Sequence, residues 1–157
     1  MTDLHEPIIT AVHLPVVAES AFELFVDDFG RWWPREYSWS GPEGLQGIGI
    51  DARVDGPLCE IGPHGLRWDW GRVLELSRPR RIRFTWQIGL DRVPVPDPAR
   101  SSEVLVLFDP AEERATTVAV EHKHWERHGE RAAEYREAFQ HAWPTALASL
   151  AAQAGGR

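Results

Sequence analysis

Residues 131–150 set the terms for the whole fold. Tyr135, Phe139, Ala142, Trp143, Ala146, Leu147 and Leu150 recur at the i, i+4, i+7, i+8 spacing of one helical face. Glu134, Arg136, Glu137 and Gln140 occupy the remaining surface and are expected to face water. A stripe this broad and aromatic needs a large concave partner, which strand-like runs upstream can supply by curving around it. Pro144 lies inside the pattern. It lacks an amide donor and its ring crowds the preceding turn, so a kink is expected there.

The upstream chain supplies that partner. Residues 7–15 are β-branched and alternate: Ile9, Ala11 and His13 on one face, Ile8, Thr10, Val12 and Leu14 on the other. A helix is expected from Glu19–Ser20 to about Phe29. Ala21, Leu24, Phe25 and Asp28 trace its inner face, with Phe22 and Phe29 at the margins and Gly30 as the stop. Trp32, Trp33, Tyr37 and Trp39 follow as an aromatic patch that could cap one end of a cavity. Residues 41–49 hold glycines and a proline and predict a turn-rich connector. Strands are then expected at 50–55, 58–62, 66–76 and 81–88, with Trp68 and Trp70 sharing a face of the third. In the fourth, Ile82, Phe84, Trp86 and Ile88 alternate with Arg81, Arg83, Thr85 and Gln87, the clearest half-buried strand of all.

Residues 91–100 carry three prolines and are expected to form a loop. A strand with Val104, Val106 and Phe108 on one face follows, then a turn at 109–114. A last strand over 116–125 places Val118, Val120, His122 and His124 on one side. Strands joined by short turns pair antiparallel. The expected fold is therefore α+β, a curved antiparallel β-sheet wrapped around a long C-terminal α-helix. No repeat or internal boundary divides the chain, so residues 1–157 are expected to form one domain.

Several phrases resemble one family. Gly71-Arg72-Val73-Leu74-Glu75 and Pro79-Arg80-Arg81-Ile82-Arg83-Phe84-Thr85-Trp86 resemble its G-x-V-x-E … P-R-R-(I/L)-x-(F/Y)-T-W pattern. Val104 to Phe108, Thr117-Val118 and Glu121-His122-Lys123-His124-Trp125-Glu126 resemble its V-x-V-x-F … T-x-V … E-H-R-G-W-E region. Trp143-Pro144 with Leu147 and Leu150 resembles its closing G-W-P-x-x-L-x-x-L. The family is the activator-of-heat-shock-protein-90-ATPase-like branch of the START-like (SRPBCC, Bet v 1-like) superfamily, and the resemblance runs over residues 8–150. It implies a helix-grip fold, the architecture expected from the residues alone. Stand-alone members of the family resemble small-ligand-binding or stress-response proteins. The sequence departs from the pattern at His124 and Ala142, where the family has glycine, so the shape of any pocket is expected to differ.

The totals bound function. A formal charge of −7 disfavours a nucleic-acid partner, and it disfavours docking on an anionic membrane. Residues 1–6 are polar and no run reaches membrane-spanning length, so neither a leader nor a membrane span is expected. Cys59 is the single cysteine, which excludes an internal disulfide and fits a cytoplasmic protein. Eight tryptophans are the anomaly of the composition, and they demand either a dense core or an aromatic-lined cavity.

The pocket residues expected on this basis are Phe25, Phe29, Trp32, Trp33, Trp39, Trp68, Trp70, Trp86, Phe108, His122, His124, Phe139 and Trp143. The expected occupant is a small apolar or aromatic ligand stacked on the tryptophans and oriented by a buried polar group such as His122. Two other readings stand beside it. One is cyclase or aromatase chemistry carried by Glu60, Glu121 and His122. The other is a chaperone-associated module docking through exposed aromatics at 32–39, a stretch that also offers a surface for a homodimer. His122, His124, His128 and Glu126 invite a metal reading, but no Cys pair or His-Glu-x-x-His spacing supports one. Cys59 sits beside Glu60, a poor setting for a thiolate nucleophile. Neither metal nor cofactor is expected.

Overall fold

The computed structural model describes residues 4–155. Seven strands are present: β1 (Ile8–Leu14), β2 (Gly47–Ile50), β3 (Pro57–Ile61), β4 (Arg67–Ser77), β5 (Arg81–Trp86), β6 (Ser102–Glu112) and β7 (Ala115–Lys123). They form one antiparallel sheet in the order β1-β7-β6-β5-β4-β3-β2. Each hairpin neighbour pairs with the next, and β1 closes onto β7 through a register that sets Ile8 opposite His122 and Leu14 opposite Thr116. The curled sheet grips the helix α4 (Ala132–Gly155).

Alternation decides which side chains face the helix. Ile82, Phe84 and Trp86 of β5, Val104, Val106 and Phe108 of β6, and Val118, Val120 and His122 of β7 are all buried. Their paired positions, Phe84 with Val104 and Val104 with His122, keep the inner face continuous across three strands. The opposite face carries an ion-pair ladder. Glu75 bonds Arg81 at 2.8 Å and Arg83 at 3.1 Å, while Glu103 bonds Arg83 at 2.6 Å and Arg127 at 3.2 Å. The two arginines hold the Glu75 carboxyl below the usual carboxylate range. In β4, a Cβ at Gly71 would stand 2.4 Å from the Thr85 carbonyl, so only glycine lets the strand pass this close.

Several boundaries differ from the sequence reading. The first helix does not run evenly to Phe29. It starts as α1 (Ala18–Phe22), widens into a π-turn over Glu23–Asp27, and resumes as α2 (Phe29–Trp32). The wider turn rotates Phe22, Leu24, Phe25, Val26 and Phe29 all inward, a wider set than an even helical face can hold. Gly30 is therefore no stop. It lies inside α2, where a Cβ would meet the Ile48 carbonyl at 2.8 Å, and its smallness lets β2 approach. The connector at 41–49 contains the short α3 (Gly41–Gly44) and most of β2, which ends at Ile50 rather than starting there. β6 runs on to Glu112, beyond the expected turn at 109. Helical backbone continues through Pro144, and Arg136 is buried rather than solvated: its guanidinium donates to the Glu6 carbonyl at 3.1 Å and the Pro7 carbonyl at 3.4 Å.

Candidate functional site

Most of the aromatic residues fill space rather than line it. Phe25 packs on Trp32 at 4.6 Å between ring centroids and on Phe108 at 5.7 Å, and Phe22 meets Phe108 at 5.0 Å. These rings, with Phe29, form the closed end of the core. The other end is open. A cavity of about 210 Å³ lies between α4, the end of β5 and the segments around Trp33 and Ile88. Of the expected pocket residues, Trp33, Trp86 and Phe139 form its wall, joined by Tyr37, Tyr135 and Ala142.

Local sequence explains why each wall residue stands there. Trp86 is the last inward position of β5, where the strand stops pairing and the chain turns out. Phe139 and Ala142 share the inner stripe of α4 with Tyr135, one and two turns further along. Trp33 follows α2 and is wedged in place, stacked on Phe29 at 5.2 Å and meeting Trp86 at 5.7 Å and Trp143 at 5.8 Å. The mouth is tied by four polar contacts. Tyr135 accepts the Trp86 indole N–H at 3.0 Å and donates to the Ile88 carbonyl at 2.6 Å. Arg131 bonds Asp91 at 2.8 Å, and Arg92 donates to the Glu36 carbonyl at 2.6 Å. Asp91 and Arg92 both adopt φ of 62°, a left-handed conformation costly for residues with a Cβ, and these contacts hold it. Burial raises the Tyr135 hydroxyl above its ordinary pKa, against the lowering effect of the Trp86 hydrogen bond, so it stays a neutral phenol.

Behind the wall lies a polar chain that fixes its own proton positions. The Trp143 indole can only donate, and it donates to His122 Nδ1 at 3.0 Å. His122 is therefore protonated at Nε2, which donates to Ser102 Oγ at 2.7 Å. The Ser102 hydroxyl donates in turn to His128 Nε2 at 2.7 Å, which also accepts the Ser102 amide at 3.2 Å. Both imidazoles are neutral. Burial, reinforced by His128, pushes His122 well below its ordinary value, and burial brings His128 down to about 4. His122 is further enclosed by Trp125, whose indole ring stacks on it at 3.9 Å.

The remaining expected residues fall elsewhere. His122 is wholly buried behind Trp86 and Phe139 and does not line the cavity. His124 is not in the strand at all: β7 ends at Lys123, and His124 takes φ of 68° and faces Glu103 at 3.2 Å and Glu126 at 3.6 Å. The three histidines thus do not converge as a metal set would require. Trp39 is 41% exposed and pairs with Trp68 at 5.8 Å on the outside of the β3–β4 region. Trp32 and Trp33 are interior, which removes them from the exposed docking surface expected at 32–39. Glu60 is buried, and its carboxylate accepts the Trp39 amide at 3.0 Å, the Ser40 amide at 2.8 Å and the Ser40 hydroxyl at 2.6 Å. That makes it an anchor for the loop after Trp33. Glu121 points to the opposite sheet face from His122, toward Lys123 at 3.9 Å. The Cys59 thiol is raised chiefly by burial, against a lowering effect of Arg67, and stays protonated at neutral pH.

Tyr135, Ser102 and Trp125 are the site residues that sequence reasoning did not reach, whereas Tyr37 belongs to the aromatic patch expected to cap a cavity and His128 to the metal reading. Tyr135 carried a usable signal, because it shares the α4 stripe with Phe139 and Ala142. Ser102 carried none, since its role exists only through two histidines 20 and 26 residues away.

Comparison with known proteins places these features in context. The family model for Activator of Hsp90 ATPase homolog 1-like protein matches residues 16–155. No curated protein matches the sequence. Among solved structures, the chain resembles the anthrahydroquino-gamma-pyrone synthase Txn09 complexed with SUM, at 30% identity and a TM-score of 0.67, covering 96% of this chain and 98% of that one. It also resembles the self-sacrificing resistance protein CalC from Micromonospora echinospora, at 25% identity and a TM-score of 0.65, over 97% of this chain and 96% of the other. Protein NE0264 from Nitrosomonas europaea has the same fold at 16% identity, with a TM-score of 0.69 over 99% of this chain and 98% of that one. Among the described residues no helix is long and apolar enough to cross a membrane.

Proposed function

Because the chain belongs to the Activator of Hsp90 ATPase homolog 1-like family and carries its helix-grip fold, we propose that it binds a small, planar, largely apolar aromatic molecule between the sheet and α4. The observation that carries this is the cavity of about 210 Å³ walled by Trp33, Trp86 and Phe139. Flat rings present stacking and edge contacts to a planar guest, and the polar groups at the mouth orient it. The ligand-bound state of Txn09 supports a small-molecule role on this scaffold. Native mass spectrometry of the purified protein, with tryptophan fluorescence against a panel of aromatic compounds, tests it. Saturable quenching that weakens several-fold in Phe139→Ala supports the reading. Absence of both bound mass and quenching refutes it.

The 30% identity to a synthase favours a second reading, in which the bound aromatic is also transformed. The acid–base candidates at the cavity are then Tyr135 and Asp91, in place of Glu60, Glu121 and His122. Turnover of a polyketide-type aromatic by the wild type, lost in Tyr135→Phe or Asp91→Asn with the fold retained, establishes this reading. Binding without turnover excludes it.

A further inference from the structure

We propose that the inner end of this cavity is a hydrogen-bond-acceptor subsite, in which the indole N–H of Trp70 receives a carbonyl oxygen carried by the aromatic ligand. The inference rests on the ligand-binding reading above and names the chemical class of its ligand: a planar ring system bearing a ketone or quinone oxygen on its edge.

The key observation is an imbalance among buried indoles. Trp32 donates to the Phe25 carbonyl at 3.1 Å, Trp86 to the Tyr135 hydroxyl at 3.0 Å, Trp125 to the His122 carbonyl at 2.9 Å and Trp143 to His122 Nδ1 at 3.0 Å. Trp70 is as buried as these, at 1% exposure, and its Nε1 is without a partner. A buried donor left unsatisfied is unfavourable, and native interiors rarely keep one without a use.

Trp70 is also in the right place. It lines an inner chamber together with Trp33, Tyr37, Trp86 and Ile88, and these four residues also wall the outer cavity. A ligand seated outside therefore has Trp70 next in depth, with the Trp70 ring 5.0 Å from Trp86. The chamber's free space is nowhere wide enough to centre a water molecule, so solvent cannot satisfy the N–H. Its one carboxylate, Glu60, is already taken by the Trp39 amide and by Ser40. The missing acceptor has to arrive on a group that parts Trp33 and Trp86 as it enters, and a ring edge ending in a carbonyl does this.

Two probes of matched shape test the proposal on the full chain by isothermal titration calorimetry: anthraquinone sulfonate, which has ring carbonyls, and anthracene sulfonate, which has none. The wild type is expected to bind the quinone about tenfold more tightly, the size of one net hydrogen bond. Trp70→Phe is expected to abolish that preference, so that the two probes bind with equal affinity. Proton–nitrogen NMR of the wild type reads the same contact without a mutation: the Trp70 indole resonance, assigned through its backbone connectivity, moves downfield with the quinone and not with the hydrocarbon. Equal binding of the two probes, or a preference that survives in Trp70→Phe, overturns the subsite while leaving the pocket standing. Failure of the wild type to bind either probe overturns the pocket and the subsite together.

Discussion

Lowering the pH from 7.5 to 4.5 is expected to destabilise the protein steeply through His122 and His128. Both are neutral in the fold, locked by the chain Trp143–His122–Ser102–His128, and both have folded pKa values depressed by burial. In the unfolded chain each titrates near 6.5. Above about pH 6.5 neither state holds these protons and their contribution to stability is complete. As the pH falls below that value the unfolded chain takes up protons the folded state refuses, and stability declines until the folded pKa is reached, about 4 for His128. Near pH 5 the difference approaches two protons, a slope of about 2.7 kcal/mol per pH unit. His128 alone, depressed to about 4, accounts for roughly 2 to 3 kcal/mol across the window once its partial exposure is discounted. Against a typical total of about 5 to 15 kcal/mol, this is enough to bring on acid unfolding near pH 4 to 5. Urea unfolding at half-unit pH steps measures the slope, and His128→Gln should lower it by about one proton. A stability flat between pH 7.5 and 5, or an unchanged slope in His128→Gln, would refute the neutral-histidine chain.

Two further substitutions bear on the architecture around the cavity. Glu60→Ala removes the acceptor of the Trp39 amide, the Ser40 amide and the Ser40 hydroxyl, and should cost about 2 to 4 kcal/mol in chemical denaturation while loosening the loop after Trp33. His124→Gly relieves a left-handed residue at φ of 68°, worth about 1 kcal/mol, and gives up the imidazole contacts with Glu103 and Glu126; the melting temperature should hold or rise.

The sheet was legible in the sequence because its strands obey a period of two over long stretches. Ile82, Phe84 and Trp86 against Arg81 and Arg83 could hardly be placed otherwise, since a one-residue slip would bury two arginines. The α4 stripe was legible for the same reason at a period of 3.6, apart from Arg136, whose burial depends on carbonyls at Glu6 and Pro7 some 130 residues away. The π-turn after Phe22 was not legible, because its cue is an apolar run too dense for one helical face. At the site, sequence could name the aromatics but not sort them. Phe25, Phe29, Trp32 and Phe108 have the same composition signal as Trp33, Trp86 and Phe139, and only the packing of α2 under the sheet separates filler from wall. His124 misled for a specific reason. It continues the alternation of Val118, Val120 and His122, but the strand ends one residue earlier and the backbone turns left-handed, the conformation that suits the glycine of the resembling pattern.

Ala142 is the position from which the space beside α4 is most readily filled. Ala142 lines the cavity and is half-buried, so Ala142→Phe sets a ring into the space the ligand is to occupy. Calorimetric titration of the wild type and of Ala142→Phe with anthraquinone sulfonate, with circular dichroism confirming the fold of each, is the measurement. Saturable binding by the wild type that falls by at least about tenfold in Ala142→Phe is the predicted result. Undiminished binding in the filled variant, or no binding by the wild type, would show that the space beside α4 is not a binding site.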